Sequence, residues 1–453
     1  MLRRLLSSQL RINMVSGVAV TLVNIAVLAV AYPMYLHFLG YEQYGVWLVL
    51  STVLTFAQLG NLGIGQAVMK LVAEEYGRHD LEAAQQYMTS ALVILAASGA
   101  VVLALIVLFQ GPIVALFKLS DENAGTVSWM LPYMACLSVY VFIVQAVNAM
   151  LSGFGRMDLA NYAQTGGRLV AIVIAAVLLS LGTGIEGLLI GSAASYIFIH
   201  AVSLVLIRRM APVRILRAGN LRVAQMKRLL HFGSGILGGT VITMLFHPIN
   251  KILLSRYIGV GIIPAYEIGY NGAMHIRALM EVGLRAILPE ISRISADMTE
   301  QARNRIIRIN RHALRLILTG GVPLCGVVFI FAVPFLRVWL GEGFPPELPS
   351  FLRIMLLASL MSLLAVPAHY TLMGLGHVRL TFVGYAVPDL VHFLVLGVAA
   401  LVTGGFSLLY IGYTTAIGIT AGTLCLLVAL HICCSRVPAT TNEAVVGVPA
   451  SEY

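Results

Sequence analysis

The sequence predicts an all-α polytopic membrane protein of about twelve transmembrane helices, arranged as two parallel six-helix bundles. Of its 453 residues, 59% are hydrophobic and 11% charged, whereas soluble domains carry about 45–50% apolar and about 25% charged residues. Mean hydropathy is +0.91, which excludes a water-soluble globular protein. Apolar runs long enough to cross a hydrocarbon core, roughly 20 residues each, recur along the chain without the period-two alternation of an outer-membrane barrel. Lys and Arg are also distributed unevenly between alternate connections, as topology requires of a multi-spanning chain.

The runs fall at about 12–36, 44–69, 87–109, 126–151, 162–181, 185–207, 229–256, 264–290, 312–335, 348–373, 380–402 and 406–433. The first follows Arg3, Arg4 and Arg11, as an export signal would. It continues to Leu36 without a small-residue cleavage site, so it reads as a retained span. Asn24 in this run, Gln58 and Asn61 in the second, and Gln145 and Asn148 in the fourth are neutral hydrogen-bonding groups. They suit contacts between helices or a polar cavity wall. Arg168 in the fifth run has no acidic residue within its helix and is a candidate for a cavity mouth.

The seventh run contains His247-Pro248-Ile249-Asn250-Lys251. Pro248 cannot donate a backbone hydrogen bond and predicts a kink. Lys251 either sits beside that hinge with Asn250 or snorkels to the exterior interface. The eighth run is the most polar, with Glu267, His275, Arg277, Glu281 and Arg285. The spacing of four from Arg277 to Arg285 lays these three along one helical face. Arg277 and Glu281 either neutralise each other or line a hydrated cavity that attracts an anion. In the eleventh run Pro388, Asp389 and His392 place a carboxylate and an imidazole one turn apart. Asp389 is either a titrating group for proton or sodium coupling or a partner for a cavity arginine. The remaining runs are read from apolar length alone.

Twenty Lys and Arg fall in the N-terminus, alternate loops and tail, against Lys118, Arg256 and Arg337 on the opposite side. With an even span count, this asymmetry places both termini in the cytoplasm. The net charge of +10 therefore reports topology rather than a nucleic-acid partner. The basic segment 208–228 divides the chain into bundles at 1–207 and 229–434, followed by a tail at 435–453 expected to be disordered. Phe38-Leu39-Gly40 recurs as Tyr257-Ile258-Gly259, and Leu151-Ser152-Gly153-Phe154-Gly155-Arg156 as Leu372-Met373-Gly374-Leu375-Gly376-His377, at nearly one offset. This suggests a duplication with parallel repeats around a central cavity.

Enzymatic and cofactor chemistry find little footing. Cys136, Cys325, Cys425, Cys433 and Cys434 lack metal-ligand spacing, and the glycine pairs at 153/155 and 374/376 lack a Walker lysine. No metal, cofactor or catalytic residue is expected. The exterior loops, about 110–125 and 336–347, are too short to hold the acid–base pair of a membrane-embedded polymerase or ligase.

Phe38-Leu39-Gly40 through Tyr44-Gly45-Val46-Trp47, the turn Ala73-Glu74-Glu75-Tyr76-Gly77-Arg78-His79-Asp80, and Gly153-Phe154-Gly155-Arg156 carry a family resemblance. Over roughly residues 10–430 the chain resembles the polysaccharide biosynthesis (Wzx-type) oligosaccharide flippases of the MATE-like superfamily. The resemblance implies a multi-pass protein of the bacterial inner membrane. Such a protein moves a polyprenyl-pyrophosphate-linked oligosaccharide to the outer leaflet for O-antigen, capsule or exopolysaccharide assembly. The polymerase and glycosyltransferases of the same pathway would be its partners. The cationic set Arg168, Arg277, Arg285 and Lys251 fits an anionic head group. Two alternatives stay open, a cation-coupled multidrug antiporter of the same superfamily and a lipid II flippase.

Overall fold

The computed structural model describes residues 8–210, 221–285, 287–294 and 300–435. Arg3, Arg4, Arg214, Arg217, Arg436, most of the predicted linker and nearly all of the tail lie outside them, as do the side chains of Arg11, Arg293, Arg379 and Cys434. Among the described residues the structure is helical and has no strand. Its helices are α1 (Ser8–Ala57), α2 (Ile64–Gly77), α3 (Leu81–Leu108), α4 (Gln110–Leu116), α5 (Asp121–Gly153), α6 (Met157–Ser180) and α7 (Glu186–Met210). Then come α8 (Val223–Tyr257), α9 (Ile263–Leu284), α10 (Ile287–Ile294), α11 (Glu300–Leu316), α12 (Val322–Ile330) and α13 (Ala332–Leu340). The chain finishes with α14 (Leu348–Gly374), α15 (Val378–Thr403) and α16 (Leu408–Ser435).

Nine helical segments among the described residues are long and apolar enough to cross a membrane, against about twelve runs read from the sequence. The first of them, Val15–Asn61, holds the first two runs. Within α1 the two runs are separate helical stretches that meet at Gly40, whose backbone is not helical (φ 68°, ψ 179°). That φ is open to glycine and strained for other residues. The polar α8 and α9 are not among the nine. Between α11 and α12 a π turn spans Ile317–Gly321. Pro323 begins the next segment without an N–H to donate, so the wider turn is accommodated there.

The repeated motifs occupy matching turns. Gly40 and Gly259 both have positive φ, as do Gly155 and Gly376. Residues joined in space define two ends. At one, Ser255 Oγ donates to the Phe117 carbonyl at 2.7 Å, Asn123 donates to Glu42 at 2.8 Å, and Tyr257 stacks on Phe406. At the other, Asn13 donates to the Gly155 carbonyl and Arg228 to Glu74. We call these the Gly40 end and the Gly155 end.

Packing differs between the ends. Near the Gly40 end one apolar cluster takes in residues from both halves of the sequence, including Tyr44, Leu50, Phe117, Tyr266, Leu336 and Phe351. Towards the Gly155 end there are separate clusters, one around Ile64, Met88, Phe142 and Leu229, the other around Leu284, Ile306 and Leu363. The halves are thus sealed together at the Gly40 end and form separate clusters at the Gly155 end, where α8 reaches across to α2 and α3. A polar cleft between them follows.

The seal depends on close backbone approach, which small residues allow between membrane helices. A Cβ on Gly45 would lie 2.2 Å from the Val260 carbonyl oxygen, with backbone on both sides and no flexible neighbour to give way. Gly45→Ala is expected to destabilise the protein by about 1–3 kcal/mol. The midpoint of thermal unfolding in detergent checks this, and an unchanged midpoint would mean the two turns separate without cost.

Candidate functional site: a polar cleft between the halves

Three groups of intramembrane polar residues face or flank the cleft. The deepest is on α8 and α9. Lys251 is 7% exposed, and its Nζ lies 2.9 Å from Glu267 Oε2. Asn271 Nδ2 donates to Glu267 Oε1 at 2.9 Å and to the Tyr32 hydroxyl of α1 at 3.1 Å. A buried carboxylate is tolerable when its lone pairs are used in this way. The ion pair rules out the reading in which Lys251 snorkels to the interface: its stem points inward because Glu267 offers a charged partner at that depth.

Pro248 lies inside α8, and two further side chains flank it. His247 Nδ1 and the Tyr266 hydroxyl are 2.9 Å apart. Asn250 is fully buried, and its Nδ2 donates to the Phe246 carbonyl. Its Oδ1 remains an acceptor for His392 Nε2 at 3.0 Å. The other ring nitrogen of His392 meets the hydroxyls of Thr414 and Thr415 at 3.0 and 3.2 Å. His392 therefore ties α8, α15 and α16 together, with both ring nitrogens engaged and no contact to water. Asp389, one turn earlier, takes no part in these bonds. It is half-buried and close enough to act on Tyr266 and Tyr270 electrostatically. Among the described residues it forms no ion pair, so the alternative in which it neutralises a cavity arginine is not realised.

The second group is on α9 and α14. Arg277 Nη1 lies 3.1 Å from Glu281 Oε2, and the Tyr370 hydroxyl donates to Glu281 Oε1 at 2.9 Å. Arg277 Nε is buried without a hydrogen-bond partner. Arg277 and Glu281 line a small cavity with Ser362, His369, Pro388 and Thr423, all within the second half. Neutralisation and cavity lining, set as alternatives from sequence, are thus both present: the ion pair uses Nη1, and Nε is enclosed without a partner. Arg285 caps α9, is exposed, and sits near Tyr370 at the Gly155 end.

The third group crosses the cleft. Arg168 on α6 is exposed and acts electrostatically on Tyr196 and on His275 of α9. His275 Nε2 is buried without a hydrogen-bond partner. Arg168 and His275 thus lie within electrostatic reach of each other from the two halves. His275 also borders an apolar pocket of ≈ 920 Å³ between α1 and α9, whose wall includes Tyr32, Ile276, Phe335, Trp339 and Leu352. Trp339 Nε1 closes one side by donating to the Ala29 carbonyl at 2.7 Å.

The neutral residues of the first half divide by role. Asn61 Nδ2 donates to Gln145 Oε1 at 2.7 Å, and Gln145 Nε2 reaches Gln58 Oε1 at 3.4 Å, which joins the 3-10 turn Gln58–Asn61 to an exposed position on α5. Asn148 is buried, accepts from Gln164 and donates to Ser203, a helix-to-helix contact. Asn24 Oδ1 is buried without a partner.

Tyr32, Tyr266, Asn271 and Tyr370 complete these networks and were not singled out from sequence. Tyr370 follows His369 inside an otherwise apolar run, a detectable signal. The tyrosines near Glu267 carried none, because a tyrosine in a membrane helix reads equally well as packing. Among the described residues no cluster of His, Cys, Asp or Glu could hold a metal ion.

The signature of the family described as polysaccharide biosynthesis protein matches residues 11–295, more than half of the chain. The chain belongs to that family. No curated protein sequence matches it closely. Among solved structures, this family member is similar to an inward-facing multidrug resistance MATE transporter of the MOP superfamily, with TM-score 0.73, 13% identity and coverage of 96% of both chains. It is also similar to the lipid II flippase MurJ in an inward closed conformation, with TM-score 0.70 and 13% identity over 90% of this chain and 87% of that one. A Vibrio cholerae MATE transporter, VcmN, follows with TM-score 0.65 and 14% identity over 94% and 97%. At these identities the likeness establishes a MATE-like transporter fold.

Proposed function

We propose that the protein is a flippase for a polyprenyl-pyrophosphate-linked oligosaccharide, acting from the cytoplasmic to the outer leaflet of a bacterial inner membrane. The observation that carries this reading is the charge balance of the cleft. The carboxylates of Glu267 and Glu281 are matched by Lys251 and Arg277, while Arg168 and Arg285 have no ion pair among the described residues. A guanidinium stays ionised when half-buried and offers phosphate several donors in one plane.

In this reading the basic Gly155 end faces the cytoplasm, and the head group enters there past Arg285. Arg168 and Arg277 hold the pyrophosphate, while the apolar pocket beside His275 receives the first isoprene units. Rocking of the halves about the Gly40 seal, with Pro248 as a hinge in α8, carries the head group outward. The protein makes and breaks no covalent bond in the substrate. Glycosyltransferases supply that substrate and a polymerase consumes it, in O-antigen, capsule or exopolysaccharide assembly. Asp389, which has no ion pair among the described residues, favours a second reading as a cation-coupled drug antiporter, and the MurJ-like fold favours a third as a lipid II flippase.

Deleting the gene is expected to abolish surface polysaccharide and to trap completed lipid-linked repeat units inside the cell, with drug tolerance unchanged. Intact polymer with heightened drug sensitivity would assign the protein to the antiporters. Intact polymer with arrested cell-wall synthesis would favour lipid II.

A further inference from the structure

A second basic site lies away from the cleft. Helix α11 carries Arg303, Arg305, Arg308, Arg311 and Arg315, and its Ala302, Ile306 and Ala313 are buried. Glu290 engages Arg305, and among the described residues Arg303 and Arg311 have no carboxylate partner. Both line a pocket of ≈ 940 Å³ between α11 and α16. His431 stands with them, and Ile307, Leu427 and Leu430 form an apolar floor. Arg303 Nε is buried without a hydrogen-bond partner. The pocket shares no residue with the cavity at Arg277 or the apolar pocket at His275.

Its position in the membrane follows from the two helices. The apolar stretch that begins in α11 starts at about residue 312 and that of α16 ends at about residue 433, so Arg311 and His431 lie at one interface. Arg303 is eight residues earlier on α11, on the outer side of Arg311. Leu427 and Leu430 precede His431 on α16 and so lie on its membrane side. A groove with cations at interface depth and a hydrocarbon floor leading inward matches a single-phosphate membrane lipid in both parts. A fully cationic rim disfavours a zwitterionic head group, whose ammonium would face Arg303 and Arg311.

We propose that the α11–α16 groove is a binding site for an anionic glycerophospholipid of the leaflet at the Gly155 end. Arg303 and Arg311 hold its phosphate, and one acyl chain lies along Leu427 and Leu430. The site does not depend on which substrate crosses the cleft.

The test reconstitutes the full-length protein in nanodiscs of phosphatidylcholine with one-fifth phosphatidylglycerol, re-extracts it in mild detergent, and counts retained phosphatidylglycerol by native mass spectrometry. Wild type is expected to retain it, and Arg303→Gln/Arg311→Gln to lose occupancy by about tenfold or more. The control Arg308→Gln/Arg315→Gln removes the same charge from the same helix outside the groove and should retain the lipid. Equal loss in both pairs would reduce the effect to general charge attraction and overturn the site, as would no loss in the first pair. Leu427→Trp/Leu430→Trp fills the floor without touching a charge and should also displace the lipid. If the arginine pair fails to fold, this variant decides alone, and unchanged retention in it overturns the proposal.

Discussion

Replacing Arg168 and Arg277 together by glutamine is expected to reduce transport of a lipid-linked oligosaccharide at least about 100-fold while the protein still accumulates in the membrane. Each arginine contributes a charge-assisted contact worth about 1.5–3 kcal/mol, and about 1.4 kcal/mol is a factor of ten. A purely structural role for Arg277 is separable, because its known partner is Glu281, 3.1 Å away. If Arg277 served only to neutralise Glu281, Arg277→Gln/Glu281→Gln would restore both folding and transport. If Arg277 also serves the substrate, that pair restores folding alone. Arg168 offers the cleaner single substitution, being exposed in the cleft with no ion pair among the described residues. Quantifying translocated oligosaccharide against membrane abundance for each variant separates these cases.

The largest effect on stability is expected at Lys251. Lys251→Met leaves the Glu267 carboxylate buried against Asn271 with no counter-charge, a change that costs about 3–5 kcal/mol. Lys251→Met/Glu267→Leu removes both charges together and should recover most of that loss, since a buried ion pair repays little more than its own desolvation. Thermal unfolding of the two single variants and the double in one detergent gives the coupling directly. A single variant as stable as wild type would mean that water reaches Glu267 and that this part of the cleft is open.

The fold class was legible because membrane helices declare themselves by length and composition. The repeat was legible through its turns, where Gly40 and Gly259, and Gly155 and Gly376, adopt positive φ. The break between the first two runs was legible too, since Gly40 between them has a non-helical backbone. At the site, the spacing of Arg277 and Glu281 gave their pairing correctly, since both lie on one helix. The partners of Lys251 and His392 lie on other helices, and no spacing within a run can show that Lys251 faces Glu267 or that His392 faces Asn250, Thr414 and Thr415. The same holds for Arg168 and His275, which the fold alone brings together. The α11–α16 groove was hidden for a further reason: the arginines of α11 had been counted as topology signals, and a residue that marks the membrane interface can also bind what is found there.

The most direct measurement places the purified protein in liposomes that carry a polyprenyl-pyrophosphate-linked oligosaccharide in both leaflets and adds a glycan-cleaving enzyme outside. The account predicts that wild-type protein exposes the inner-leaflet pool to cleavage, that Arg168→Gln/Arg277→Gln leaves it protected, and that a cationic dye is not transported in parallel. Protection of the inner pool by folded wild-type protein, together with transport of the dye, would contradict it.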